Sequence, residues 1–171
     1  VEWMNVIANR IKELEDKVDG FKLKDLAGNE LFLTIMTRAT IAALRNHQKE
    51  KLEAFQNAVV NCALSIDIEE NLQLLFLEFA DSLTTVHLKV LAYFDNPPKW
   101  LKNCGINLSV VLGGITVGLE AALPELKGKR NIYDPIVQDL YNRGLLSIDM
   151  QGLHVMTDLS GILAERTTDL G

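Results

Sequence analysis

From Met4 to Phe94 the apolar residues of this chain recur mostly three and four positions apart, a spacing that lines up one side of an α-helix turn after turn. A chain patterned in this way must bury helices against helices. Aromatic residues make up 6% of the sequence, and Leu, Ala, Ile and Val carry the hydrophobic content, so an aliphatic and mainly α core is expected rather than an all-β one. The length of 171 residues suits one domain, or two small ones tightly joined, with a substantial core.

Met4, Ile7, Ile11, Leu14, Val18 and Phe21 alternate spacings of three and four, the pattern of a coiled-coil a/d seam. In that register Arg10 falls at g and Glu15 at the following e, the placement of an interchain ion pair in a parallel dimer. Fewer than three heptads precede Gly20, so the same stripe also suits an amphipathic helix folded back on its own domain. Further along, Leu31, Phe32, Ile35, Met36 and Ala39, then Leu52, Phe55, Val59, Cys62 and Ala63, predict helices over 30–46 and 48–64. Cys62 lies within the second stripe and reads as a small buried hydrophobe. Asp67 with Glu70 forms a capping box for a segment, Leu72 to Ala80, that is apolar on nearly every side and is expected at the centre of the bundle, with Phe76 and Phe79 buried.

The next helix carries Leu83, Val86, Val90, Leu91 and Phe94, capped by Thr84 or Thr85 and ended by Pro97-Pro98. Ile106, Leu108, Val110 and Leu112 alternate in strand fashion with Asn107 and Ser109, whereas Leu119, Ala122 and Leu123 look helical. Ile136, Val137, Leu140 and Tyr141 make a short helix that stops at Gly144. Leu146, Ile148 and Met150 then predict a strand, a turn at Gln151-Gly152 and a second extended run. Helix, one or two helices, helix and hairpin is the order of a winged helix-turn-helix. The closing segment Thr167 to Gly171 reads as a last wing strand turning into a further helix, so the chain is expected to be a piece of a longer protein, truncated at that end.

The stretch Glu50-Lys51-Leu52-Glu53-Ala54-Phe55-Gln56-Asn57-Ala58-Val59, with Gln73 to Leu77 and Val86 to Leu91, is similar to a group of uncharacterised bacterial proteins, some of them prophage-associated. The likeness runs from about Lys49 onward and implies a bacterial, cytoplasmic origin, with no activity, substrate or catalytic residue attached to it.

No recognisable catalytic pattern accompanies this fold. Gly113 and Gly118 have P-loop spacing, but Leu119-Glu120 stand where a phosphate-binding Lys and a magnesium-binding Ser or Thr are required, so these glycines are read as permitting a bend or close packing. His47, His87 and His154 lie far apart without ligand spacing, and His87 falls on the apolar side of its helix, as a hydrogen-bonded boundary residue would. Cys62 and Cys104 suggest neither a disulfide framework nor a zinc site, which fits a reducing cytoplasm. The longest uncharged stretch, 103–119, is too broken by glycine and polar residues to span a bilayer. With 48% apolar and 23% charged residues and a net charge of −6, a disordered or collagen-like chain is excluded.

A winged helix invites a nucleic-acid reading. Lys127, Lys129 and Arg130 precede the candidate recognition helix, Gln138 and Asn142 offer groups for base edges, and Arg143 could meet a phosphate. Arg38, Arg45 and Lys49 form another basic stripe. Against this reading, the same helix carries Asp134 and Asp139, and residues 84–171 hold eight Lys and Arg against nine Asp and Glu, a net of −1.

The expectation is therefore a mainly α protein in three parts. Residues 1–28 form a coiled-coil-like oligomerisation helix and linker whose interface is Met4, Ile7, Ile11, Leu14 and Val18. Residues 29–83 form a helical bundle, and 84–171 a small winged-helix-like α+β subdomain. The expected function is non-enzymatic assembly as a homo-oligomer with an unidentified protein partner, without cofactor, metal or catalytic residues. A DNA-binding regulator is the alternative, and an enzyme whose site is gathered from residues distant in sequence is a third reading.

Overall fold

The computed structural model describes residues 2–64, 69–106 and 113–171, and divides into two compact units, Val1–Thr85 and Val86–Gly171. Described residues are mainly helical, as the apolar spacing requires. No helix among them is long and apolar enough to cross a membrane.

The first unit contains α1 (Glu2–Lys17), the short α2 (Leu23–Leu26), α3 (Glu30–Leu44), α4 (Lys49–Leu64) and α5 (Glu70–Ser82). Asn29 starts α3 by accepting a hydrogen bond from the Phe32 amide at 2.9 Å, satisfying a donor that the first turn would leave unpaired. The pairing of α3 with α4 is the heart of this unit. Ala39, Ala42 and Ala43 are small enough for the helices to approach closely, and Ile35, Phe55 and Val59 fill the space between them, all buried. Cys62 is buried in the same cluster, and burial pushes its thiol up to about 11.

Two expectations for this unit are revised. The apolar stripe of α1 faces the unit's own core: Ile7 is 1% exposed, Ile11 is buried beside it, and Leu14 packs at the edge, while Met4 and Val18 lie exposed. Arg10, placed for an interchain ion pair, instead donates to Gln56 Oε1 at 3.4 Å and Asn57 Oδ1 at 2.8 Å on α4. Glu15 accepts from the Leu23 amide, and Trp3 Nε1 donates to Thr40 Oγ1 on α3. A helix whose d and a residues already meet an aliphatic core has no dry seam left for a second chain, so the fold-back arrangement prevails. The second revision concerns α5, which buries Gln73, Leu77 and Ala80 but leaves Phe76 and Phe79 half-buried, so it flanks the α3–α4 pair and does not form the centre. The Asp67 member of the expected capping box lies outside the described residues; Glu69 occupies the N-cap position.

The second unit contains α6 (Thr85–Asp95), α7 (Pro97–Asn103), α8 (Ile115–Ala122), α9 (Arg130–Asn142), α10 (Met150–Leu153) and α11 (Leu159–Ile162). Pro97-Pro98 ends α6 and also begins α7, because proline suits the first turn of a helix and Asn96 caps it by accepting from the Lys99 amide at 3.0 Å. Gly144, at φ 73°, closes α9 in the left-handed conformation that only glycine adopts freely. The strand-like run from Ile106 to Leu112 falls, beyond Ile106, outside the described residues.

The hairpin expected after Gly144 does not form. Asp149 Oδ1 accepts from the Gly152 amide at 2.7 Å and turns Met150–Leu153 into α10, burying Leu153 and overriding the alternation of Leu146, Ile148 and Met150. The sheet instead joins distant segments: β1 (Gly113–Gly114) pairs antiparallel with β2 (Met156–Thr157), Gly113 opposite Thr157, and Leu146 bridges separately to Thr167. Gly118 is packed so closely that a Cβ there would lie 2.5 Å from the Tyr93 hydroxyl and 2.7 Å from Ile162 Cγ2, which is the close-packing role expected of this glycine.

Candidate functional site

The candidate recognition helix, α9, takes in Arg130 as its first residue, a residue that the apolar spacing places just before it. Tyr133, Ile136, Val137 and Leu140 form its buried face, and Pro135 lies inside the helix, where it has no N–H to donate to the preceding turn. Lys127, Lys129 and Arg130 are all exposed around its N-terminus. The positive end of the helix dipole adds to their charge there.

The remaining candidates are engaged within the chain. Gln138 Nε2 donates to Asn142 Oδ1 at 2.9 Å, and Gln138 Oε1 accepts from the Met150 amide at 3.4 Å, so the two groups offered to base edges bond to each other and to α10. Arg143 Nε donates to Asp139 Oδ2 at 2.9 Å, and His87 Nε2 lies 3.4 Å from the same oxygen. Asp139 thus draws both residues onto one carboxylate, giving His87 the boundary role its place on α6 suggested.

A second group of polar side chains lies nearer the start of α9. His154 Nε2 is 2.9 Å from Asp134 Oδ1, Tyr133 donates to Glu120 Oε1 at 2.8 Å, and the Tyr133 and His154 rings are 6.5 Å apart. Burial, reinforced by the Glu120 carboxylate, holds the Tyr133 phenol far above its ordinary range, so it serves as a hydrogen-bond donor. These acid–base pairs fasten α9 to α8 and to the segment after α10. Among the described residues no group of three or more His, Cys, Asp or Glu side chains could hold a metal ion.

The first unit presents a different kind of surface. On α3 the side opposite Ile35 and Ala39 carries Leu33, Thr37, Ile41 and Leu44, of which Leu44 is 79% exposed and Ile41 50%. Beside this stripe a groove of about 200 Å³ runs between α3 and α5, with Arg38 and Arg45 on the α3 wall and Glu78 and Asp81 on the α5 wall. Ile41, Ala42 and Leu77 form its apolar floor. The basic stripe seen in the sequence thus borders a carboxylate-lined groove at Arg38 and Arg45. The outer stripe was missed because Leu31, Phe32, Ile35, Met36 and Ala39 already made a complete inner face. The available signal was the surplus of apolar residues: Leu33, Ile41 and Leu44 do not fit on that face.

Lys51 is the other residue not anticipated. Its ammonium group is buried and donates to the carbonyls of Ala80, Asp81 and Leu83, the last two at 2.6 Å, which satisfies the C-terminal end of α5. Its sequence signal was its place four residues before Phe55, in line with Val59 and Cys62 on the buried stripe.

No family model, curated protein or solved structure matches the chain.

Proposed function

We propose that the chain is a non-enzymatic assembly protein that works as a homo-oligomer through its first unit. The observation that carries this reading is the exposed apolar stripe Leu33, Ile41 and Leu44 on α3, a helix that is apolar on its inner and outer sides alike. Large aliphatic side chains aligned along one exposed helix face are the signature of a surface covered in use. The polar residues of α9 are held in intrachain pairs that brace the second unit, which supports a structural role for that unit. A winged-helix-like arrangement there is supported by α8, α9 and the β1–β2 pairing, and a bacterial cytoplasmic setting by the sequence likeness. The test is sedimentation velocity over a concentration series. Wild-type protein should associate, and Ile41→Glu with Leu44→Glu should give a monomer of unchanged thermal stability; a wild type that stays monomeric overturns the reading.

A DNA-binding regulator is the second reading, favoured by the exposure of Lys127, Lys129 and Arg130 together at the start of α9. With Gln138, Asn142 and Arg143 engaged inside the chain, this reading rests on phosphate contacts alone.

A further inference from the structure

We infer that the groove between α3 and α5 is a two-fold interface in which a second copy of this chain docks about an axis running along the groove, Arg38 and Arg45 of one copy meeting Glu78 and Asp81 of the other. This rests on the assembly reading above and names its partner and geometry. Both charge signs line one groove around an apolar floor, yet Arg38 and Glu78 make no ion pair among the described residues. Arg45 is engaged only through a 3.4 Å bond from Nε to the Ile41 carbonyl, and Asp81 acts electrostatically on Lys51.

A polyanion approaching this face would meet the carboxylates, and a polycation the guanidinium groups, so a uniform partner of either sign leaves half of the groove unsatisfied. A second copy supplies both signs in the required places. A two-fold axis sets each patch against itself, and when that axis runs along the groove α3 of each copy lies over α5 of the other, so a patch with its cations on one helix and its anions on the neighbouring one becomes self-complementary. Ile41, half exposed and lining the groove, is covered in the same step by the facing groove of the other copy. Arg38 and Arg45 are two helical turns apart, so they offer two forks along one wall rather than a single contact.

The experiment uses the full chain with the substitutions Arg38→Glu and Glu78→Lys, each alone and then mixed in equal amounts, with dissociation constants from sedimentation velocity. Both positions are exposed, so thermal melting should match wild type; Arg38→Gln and Glu78→Gln serve as milder replacements if a reversed charge perturbs folding. Each charge reversal alone should weaken self-association about tenfold or more, because like charges then face each other at both copies of the contact. The mixture should restore near wild-type affinity, since a heterodimer of the two variants pairs opposite charges at both contacts. A wild-type dimer indifferent to both substitutions, or weakened singles that the mixture does not rescue, overturns the inference while leaving the assembly reading intact. A wild type that remains monomeric to about 100 μM removes both.

Discussion

Lys51 shows what a single residue can do when helical spacing carries it into a core. Its position on the stripe with Phe55, Val59 and Cys62 was visible in the sequence, but its three carbonyl acceptors belong to the far end of α5 and exist only once the two helices pack. Lys51→Met keeps the apolar stem and strands those carbonyls, and should destabilise the first unit by about 1–3 kcal/mol in denaturant titration. Burial lowers the Lys51 pKa below 10.5, against a smaller opposing pull from Asp81. Below the folded value both states are protonated and the cost of holding the buried charge is fully present. Between that value and 10.5 the unfolded chain binds more protons, so the stability contribution of Lys51 rises with pH there. The stability of wild type relative to Lys51→Met should therefore increase from neutral pH toward 10.5, and a flat difference would contradict the account. Tyr93 poses the opposite case. Its hydroxyl is buried without a hydrogen-bond partner among the described residues and lies against Gly118. Tyr93→Phe should be neutral or stabilising. Gly118→Ala should cost about 1–3 kcal/mol through overpacking, and a double-mutant cycle should show part of that loss recovered in the Tyr93→Phe background.

At the scale of elements, α1 and α5 both turn on which face meets the aliphatic core. The seven-residue repeat of α1 correctly marked Ile7 and Ile11 as buried positions, yet periodicity is blind to whether the burying partner belongs to the same chain. The polar residues settle that point: Arg10 reaches Gln56 and Asn57 across the α1–α4 contact. Ile7→Ala should therefore cost about 2–5 kcal/mol of folding stability, while Met4→Ala stays within about 0.5 kcal/mol; near-equal losses would revive an interchain seam. For α5 the near-continuous hydrophobicity of Leu72 to Ala80 suggested a central helix, but Phe76 and Phe79 remain half-buried while the smaller Leu77 is buried. Leu77→Ala should accordingly destabilise more than Phe76→Ala in the same titration, despite removing fewer atoms. The expected hairpin fails for a related reason: a two-residue alternation over Leu146 to Met150 is weaker than one capping bond from Asp149 and the burial of Leu153.

For the whole molecule, the charge balance bears on partners more directly than the order of elements does. A net charge of −6 and a second unit with eight cations against nine anions leave little to drive counterion release, so duplex DNA should bind more weakly than about 10 μM near physiological salt. Tighter binding in a fluorescence titration, with a steep salt slope that flattens when Lys127, Lys129 and Arg130 become alanine, would favour the regulator reading. The sequence by itself determined that the chain is mainly helical, where α3 and α4 run, that Cys62 is core and that Pro97-Pro98 ends a helix, because spacing, capping and proline geometry act over a few residues. Only the tertiary structure decided that α1 closes on its own unit, that β1 finds β2 across a long stretch of chain, and that Arg38 and Glu78 share one groove. Each of these depends on which distant surface offers the better burial or charge match, a comparison among competing contacts that no local pattern contains.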